Sequence, residues 1–308
     1  MTTQGVNRGT IAALFVATVW GLSFVAASMV LETLTPVLLA TLRFIIASLL
    51  FSPLLIKSLL KGNIPERTDL RDMAVLGFLS ISIYFWLQYT GVQYAGPGVS
   101  AIIVVGFIPI LTGLASSVIL KEPFDKRRVL GIGLGFTGVA LITLPNLVLG
   151  SVNTRFFIGV VCLLGNAVAF SLYSTLSRKL LKKYDEPAIV TSYVTVFGTL
   201  ALIPMSLASD WSTITTITTS QWIAVLFLAS ICSGLAYFLW NYALSKIDSV
   251  QAAIWLYLEP VVAFIGVFIL YGSIPSPLTI TGGILVLIGA VHIEKEMTVN
   301  QLSDQSSP

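Results

Sequence analysis

This chain contains one apolar module twice, and each copy carries an odd number of spans long enough to cross a bilayer. Gly9 is answered 150 positions later by Gly159. Pro36, Pro109, Gly131 and Gly138 return at a spacing of 151 as Pro187, Pro260, Gly282 and Gly289. Tyr84-Phe85-Trp86-Leu87-Gln88-Tyr89 matches Tyr237-Phe238-Leu239-Trp240-Asn241-Tyr242 after a two-residue indel. An odd module repeated in tandem enters the membrane in opposite directions, which predicts a pseudo-twofold axis lying in the membrane plane.

Apolar runs able to cover about 30 Å of hydrocarbon number ten. They are 10–30, 35–56, 72–93, 98–120, 128–145, 156–176, 188–208, 221–244, 250–271 and 277–293. The predicted fold is an all-α polytopic membrane protein: two inverted five-helix repeats, 1–150 and 151–296, then a disordered polar tail, 297–308. Charged residues make up 10% of the chain, against about 25% in soluble domains, so no aqueous globule fits.

Basic residues set the orientation. With the N-terminus inside, Arg8, four loop clusters and Lys295 place fifteen lysines and arginines in the cytoplasm and only Arg155 outside. The clusters are Lys57/Lys61/Arg67/Arg71, Lys121/Lys126/Arg127/Arg128, Arg178/Lys179/Lys182/Lys183 and the single Lys246. A miscounted span would have scattered the later clusters over both sides, so the bias supports both the count and two cytoplasmic termini. The net charge of +3 therefore reports orientation, and nucleic acid is not an expected partner.

Cys162, Cys232 and His292 are too few and too scattered for a metal centre, so metal and cofactor are expected to be absent. An intramembrane hydrolase lacks its nucleophile–base pair, and no enzyme is expected. Gly133-Leu134-Gly135-Phe136-Thr137-Gly138 reads GxGxxG, but it lies inside an apolar span without the strand that a dinucleotide site requires. Gly131 and Gly135, with Gly138 and with Gly282 and Gly289 of the tenth span, instead suit close helix packing.

Arg43 and Glu259 are the only charges well inside spans. A charge there is costly and normally faces a bundle interior or cavity. They are expected to serve either as a structural pair or as a site for a solute or coupling proton. Neither is duplicated; their repeat equivalents are Val194 and Ile108. Pro109 and Pro260 are expected to free the carbonyls of Val105 and Leu256 near mid-membrane, marking helix breaks beside a central site. Tyr84 and Gln88, and in the other copy Tyr237 and Asn241, are spaced to share a helix face. Trp255 one turn before Glu259, and Trp20 and Ser23 in the first span, complete the expected cavity lining.

The run Trp20-Gly21-Leu22-Ser23-Phe24, with Arg43-Phe44, Pro109, Leu120-Lys121-Glu122-Pro123 and Glu259-Pro260, resembles the drug/metabolite transporter superfamily in its ten-span EamA-type branch. The second copy departs from the pattern, with Tyr271-Gly272-Ser273 in place of Lys121-Glu122-Pro123. The resemblance implies export or exchange of small metabolites, often amino acids or related amphipathic compounds, across the inner membrane by alternating access. It also implies that spans one, three, four, six, eight and nine line the route while five and ten pack outside. The expected partners are a small-molecule solute and the lipid bilayer. A channel or non-transporting receptor shares the ten-span outline, and the apolar outer faces suit lipid or a second copy equally well.

Overall fold

The computed structural model describes residues 3–61, 64–121, 126–147, 154–184 and 186–271, with short stretches between 277 and 289. His292, Lys295, the tail 297–308 and part of the expected tenth span lie outside the described residues, as do Glu122, Pro123, Gly272 and Ser273. The described residues form helices and turns, with no strand among them.

Helices α1 (Thr3–Leu31) and α2 (Pro36–Leu60) form the first hairpin, and α2 starts where Thr35 Oγ1 accepts from Leu38 N ahead of the N-terminal Pro36. Helix α3 (Arg67–Gly77) runs through a π-helical segment, Phe78–Ile83, into α4 (Tyr84–Ile119). Helices α5 (Lys126–Leu147), α6 (Thr154–Leu181) and α7 (Pro187–Ser206) follow. A short 3₁₀ turn at Trp211–Thr216 leads to α8 (Thr219–Leu226), which continues through a second π-helical segment, Phe227–Leu235, into α9 (Ala236–Lys246). Helix α10 (Ser249–Ile254), a 3₁₀ turn at Trp255–Tyr257 and α11 (Leu258–Tyr271) complete the series.

Among the described residues, six helical runs are long and apolar enough to cross a membrane: Arg8–Leu31, Pro36–Leu60, Arg67–Ala95, Thr154–Leu181, Pro187–Ser206 and Thr219–Lys246. Ile103–Ile119, Val129–Gly138 and Ser249–Ala263 are shorter apolar helices.

The 36 residues of α4 cannot be one straight rod. Asn166 Nδ2 donates to the Tyr84 carbonyl at 2.8 Å, and Ser171 Oγ donates to the Ile108 carbonyl at 3.1 Å. The two donors are five residues apart on α6, about 7.5 Å, whereas Tyr84 and Ile108 on a straight helix would be about 36 Å apart. The run therefore doubles back, dividing it near the expected boundary between the third and fourth spans.

Close glycine contacts give the helix directions. Gly159 at the start of α6 has so little room that an added Cβ would lie 2.9 Å from Ala95 N. Further along α6, Leu163 meets Gly91 and Asn166 meets Tyr84, so α6 runs antiparallel to the Arg67–Ala95 span. The α1–α2 loop and Gln93 border the same cavity, so α1 and that span end at one end of the bundle. Helices α1 and α6 therefore point in opposite directions.

The repeat also appears in the contacts. Gly9 packs on Lys246 and Ile247 as Gly159 packs on Tyr94 and Ala95. Ser48 Oγ and Thr199 Oγ1, 151 residues apart, hydrogen-bond to each other at 2.8 Å. Tyr257 OH donates to the carbonyl of its own equivalent, Gly106, at 3.1 Å. The rings of Trp20 and Phe170, equivalent at the spacing of Gly9 and Gly159, have centroids 5.7 Å apart. Two equivalent residues can touch only where they flank the operator that relates them. These three pairs therefore trace a pseudo-twofold axis through the middle of the bundle.

Gly289 packs against the backbone of Gly131 and Gly135, where a Cβ would stand 2.7 Å from the Gly131 carbonyl oxygen. That is the close approach expected of these glycines. Gly138 and Gly282 are buried, Cys232 is buried, and Cys162 is half-buried.

Candidate functional site

A cavity of about 560 Å³ opens beside the α1–α2 loop, where Glu32, Thr33, Leu34 and Thr35 form its rim. Seven of the nine expected lining residues border it: Trp20, Ser23, Arg43, Tyr84, Gln88, Tyr237 and Glu259. Sequence reasoning missed Phe24, Phe85, Tyr89 and Phe170, which also line it. The signal for Phe85 and Tyr89 was present, because both belong to the duplicated aromatic run.

An aromatic floor closes the deep end. Trp20 packs edge-on to Tyr237 at 5.5 Å and tilted on Trp240 at 5.6 Å, and Phe170 packs on Tyr84 at 5.4 Å. Each π-helical segment delivers a carbonyl to this floor. Trp20 Nε1 donates to the Cys232 carbonyl at 3.0 Å, and Tyr237 OH donates to the Ser80 carbonyl at 3.0 Å. The two segments occupy matching places in the repeat, immediately before Tyr84 and Ala236. A π-segment displaces backbone carbonyls from the regular helical ladder, and the aromatic donors satisfy them in a region without bulk water.

Arg43 is 3% exposed and is held from several sides. Its Nε donates to Ser233 Oγ at 2.8 Å and its Nη1 to Tyr89 OH at 2.9 Å. Its guanidinium carbon lies 4.6 Å from the Phe85 ring centroid and 5.2 Å from that of Phe44. Cation–π contacts of this kind contribute about 0.5–2 kcal/mol each. They keep the cation in place while leaving its remaining donors at the cavity wall.

Glu259 is 7% exposed at the same cavity. Among the described residues its carboxyl group has no hydrogen bond or ion pair, so Arg43 and Glu259 do not neutralise each other directly. Gly21 explains how Glu259 is positioned: a Cβ there would stand 2.7 Å from the Glu259 carbonyl oxygen and 2.8 Å from Val262 Cβ. Only glycine lets α1 lie flat against the start of α11. The Trp20-Gly21 pair thus supplies one wall of the cavity and seats the opposite one.

Two expected lining residues stand elsewhere. Asn241 is fully buried beyond the floor, where Nδ2 donates to Thr191 Oγ1 at 2.9 Å and Oδ1 accepts from Tyr173 OH at 3.2 Å. Trp255 is buried in the 3₁₀ turn, and the tighter winding there removes it from the helical face that would have aligned it with Glu259.

The two prolines also differ. Pro260 follows that 3₁₀ turn closely, whereas the helix continues through Pro109. The expected break at Pro109 does not occur, and side-chain donors reach neighbouring carbonyls instead: Tyr257 OH at Gly106 and Ser171 Oγ at Ile108.

Matching contacts tie the halves together at the two ends of the bundle. Asp69, the third residue of α3, accepts from Tyr184 OH at 2.5 Å and pairs with Lys183 Nζ at 2.7 Å. Lys183 also reaches Glu66 at 3.1 Å. Gln221, the third residue of α8, donates to the Met29 carbonyl at 2.8 Å and to Thr33 Oγ1 at 2.9 Å. In each case the start of a third span grips the first loop of the other half. One latch is ionic and the other neutral.

The sequence matches the EamA-like transporter family twice, over residues 7–144 and 157–294. The chain belongs to this family. An uncharacterized transporter of Archaeoglobus fulgidus is 30% identical over 278 residues, covering 88% of this chain and 93% of its own. A probable terminal-alkyne amino-acid exporter of Streptantibioticus cattleyicolor is 25% identical, over 79% of each chain. A probable amino-acid metabolite efflux pump of Salmonella typhimurium is 24% identical, over 90% of this chain and 91% of its own. A solved crystal structure shares the fold with a TM-score of 0.77 at 19% identity, covering 93% of this chain and 96% of the other. This EamA-like chain is a multi-pass membrane protein of a transporter family.

Proposed function

We propose that this protein is a secondary transporter that exports or exchanges amino acids or closely related amphipathic zwitterions across the inner membrane by alternating access. The carrying observation is a blind cavity with a fixed guanidinium, an unpaired carboxyl group and an aromatic floor. Arg43 would receive the solute carboxylate and Glu259 its ammonium, or Glu259 would carry a coupling proton in exchange. Trp20, Tyr84, Phe85 and Tyr237 would hold the apolar side chain, and Ser23 and the Gln88 amide would orient polar groups. The names of the exporter and efflux-pump relatives point to the same solute class.

The accompanying topology is ten spans in two inverted repeats, near 1–150 and 151–296, with both termini on the cytoplasmic side. Under that topology the cavity faces outward, because its rim lies opposite the basic loops. A closed deep end disfavours a constitutive pore, and the family gives no reason to expect an enzyme.

The test is counterflow of labelled amino acids in proteoliposomes, with Glu259→Gln and Arg43→Lys as variants. Saturable flux that falls at least about tenfold in Glu259→Gln supports the reading, since one lost charge-assisted contact is worth roughly 1.5–3 kcal/mol. Non-saturating flux, or flux unchanged in both variants, contradicts it.

A further inference from the structure

The pseudo-twofold axis maps the walls of the open cavity onto residues buried beyond its floor. At the spacing of 150 that relates Trp20 to Phe170, Ser23, Phe24 and Ala27 map to Tyr173, Ser174 and Ser177. At the spacing of 153 that relates Tyr84 to Tyr237, Gln88 maps to Asn241. All four images are fully or almost fully buried, and all are polar. We infer that Tyr173, Ser174, Ser177 and Asn241 form the wall of a second vestibule, on the side of the basic loops, that is shut in this state. The inference rests on the transporter reading and adds the residues of its other half-route.

Their chemistry supports this assignment. Ser174 Oγ is buried and has no hydrogen-bond partner among the described residues, a condition that costs about 1–3 kcal/mol. A permanently dry helix face would favour an apolar residue there. Asn241 occupies both ends of its amide with Tyr173 and Thr191, three polar groups facing one another where apolar ones would pack more simply. Such groups fit a wall that meets water in another conformation. The same symmetry accounts for the position of Asn241: Gln88 borders the open vestibule while its image borders the closed one. The Asp69–Lys183–Tyr184 latch stands at the end where this second vestibule would open.

The test is thiol accessibility. Ser174→Cys and, separately, Ser177→Cys are made in a chain lacking Cys162 and Cys232, with Ala27→Cys as the opposite-side reference. A membrane-impermeant thiol reagent is applied to each face of sealed vesicles, with and without a panel of amino acids. The expected result is reaction of both serine replacements from the basic-loop side only, accelerated severalfold under conditions that slow Ala27→Cys. Absence of reaction at both positions in vesicles that still support flux would overturn the inference and leave the transporter reading standing. Reaction in vesicles that carry none of the amino acids would sustain the second vestibule and overturn only the solute class. Serine to cysteine conserves size, and the two positions provide independent readings if one variant fails to fold.

Discussion

At the scale of single residues the site depends on one charge that is held and one that is left free. Arg43 is tied by Ser233, Tyr89 and two aromatic rings, so it contributes to packing as well as to the cavity. Arg43→Ala is expected to lower the melting temperature in detergent as well as flux. Glu259→Gln is expected to lower flux alone, because no protein partner among the described residues is lost. Measuring both quantities for both variants separates the roles, and a stable Arg43→Ala protein would contradict this division. Gly21→Ala gives a sharper steric test. Its Cβ would collide with the Glu259 carbonyl and Val262, an overpacking worth about 1–3 kcal/mol, so destabilisation should accompany displacement of Glu259 and loss of flux. The buried charges, the aromatic run and the glycines were legible in the sequence because each is rare or costly in hydrocarbon. Asn241 and Trp255 do not border the open cavity. A helical face extrapolated from spacing cannot say which end of a route is open, nor where a 3₁₀ turn changes the phase.

At the scale of elements, the two π-helical segments and the two latches are repeat-related, yet the latches differ in charge. Hydrogen bonds to Asp69 and Glu66 hold the Lys183 ammonium above its ordinary value of 10.5. A raised value contributes stability below 10.5 that is lost only as pH climbs through the raised value. The ionic latch therefore stays formed throughout the neutral range, and titration of its lysine does not open it there. Lys183→Ala is expected to move the population severalfold toward the state open on the basic side, read as faster labelling of Ser177→Cys. Unchanged labelling of Ser177→Cys in Lys183→Ala would contradict this role of the ionic latch. The latches escaped sequence reasoning because their partners lie far apart in the chain. Asp69 meets Lys183 only once two inverted halves interlock, and no local period encodes that pairing. The π-segments escaped because a wider turn within a run that is apolar on nearly every face leaves little mark on the hydrophobic pattern.

For the whole molecule, the duplication read from glycines and prolines is also present as contact: Ser48 with Thr199, Gly106 with Tyr257 and Trp20 with Phe170. If the second state is the first with its halves exchanged, a distance between equivalent residues maps onto itself and stays fixed. Off-axis distances must instead trade values with their images. Glu32 and Gln93 flank the open mouth, and their images are Lys182 and Lys246 at the opposite end. Pulsed electron–electron spin resonance on labels at these pairs, with and without a transported amino acid, tests this directly. The account predicts that the Glu32–Gln93 distribution shortens while Lys182–Lys246 lengthens, each approaching the other's starting value, with Ser48–Thr199 unchanged. Both mouth distances holding still during measured transport would contradict it.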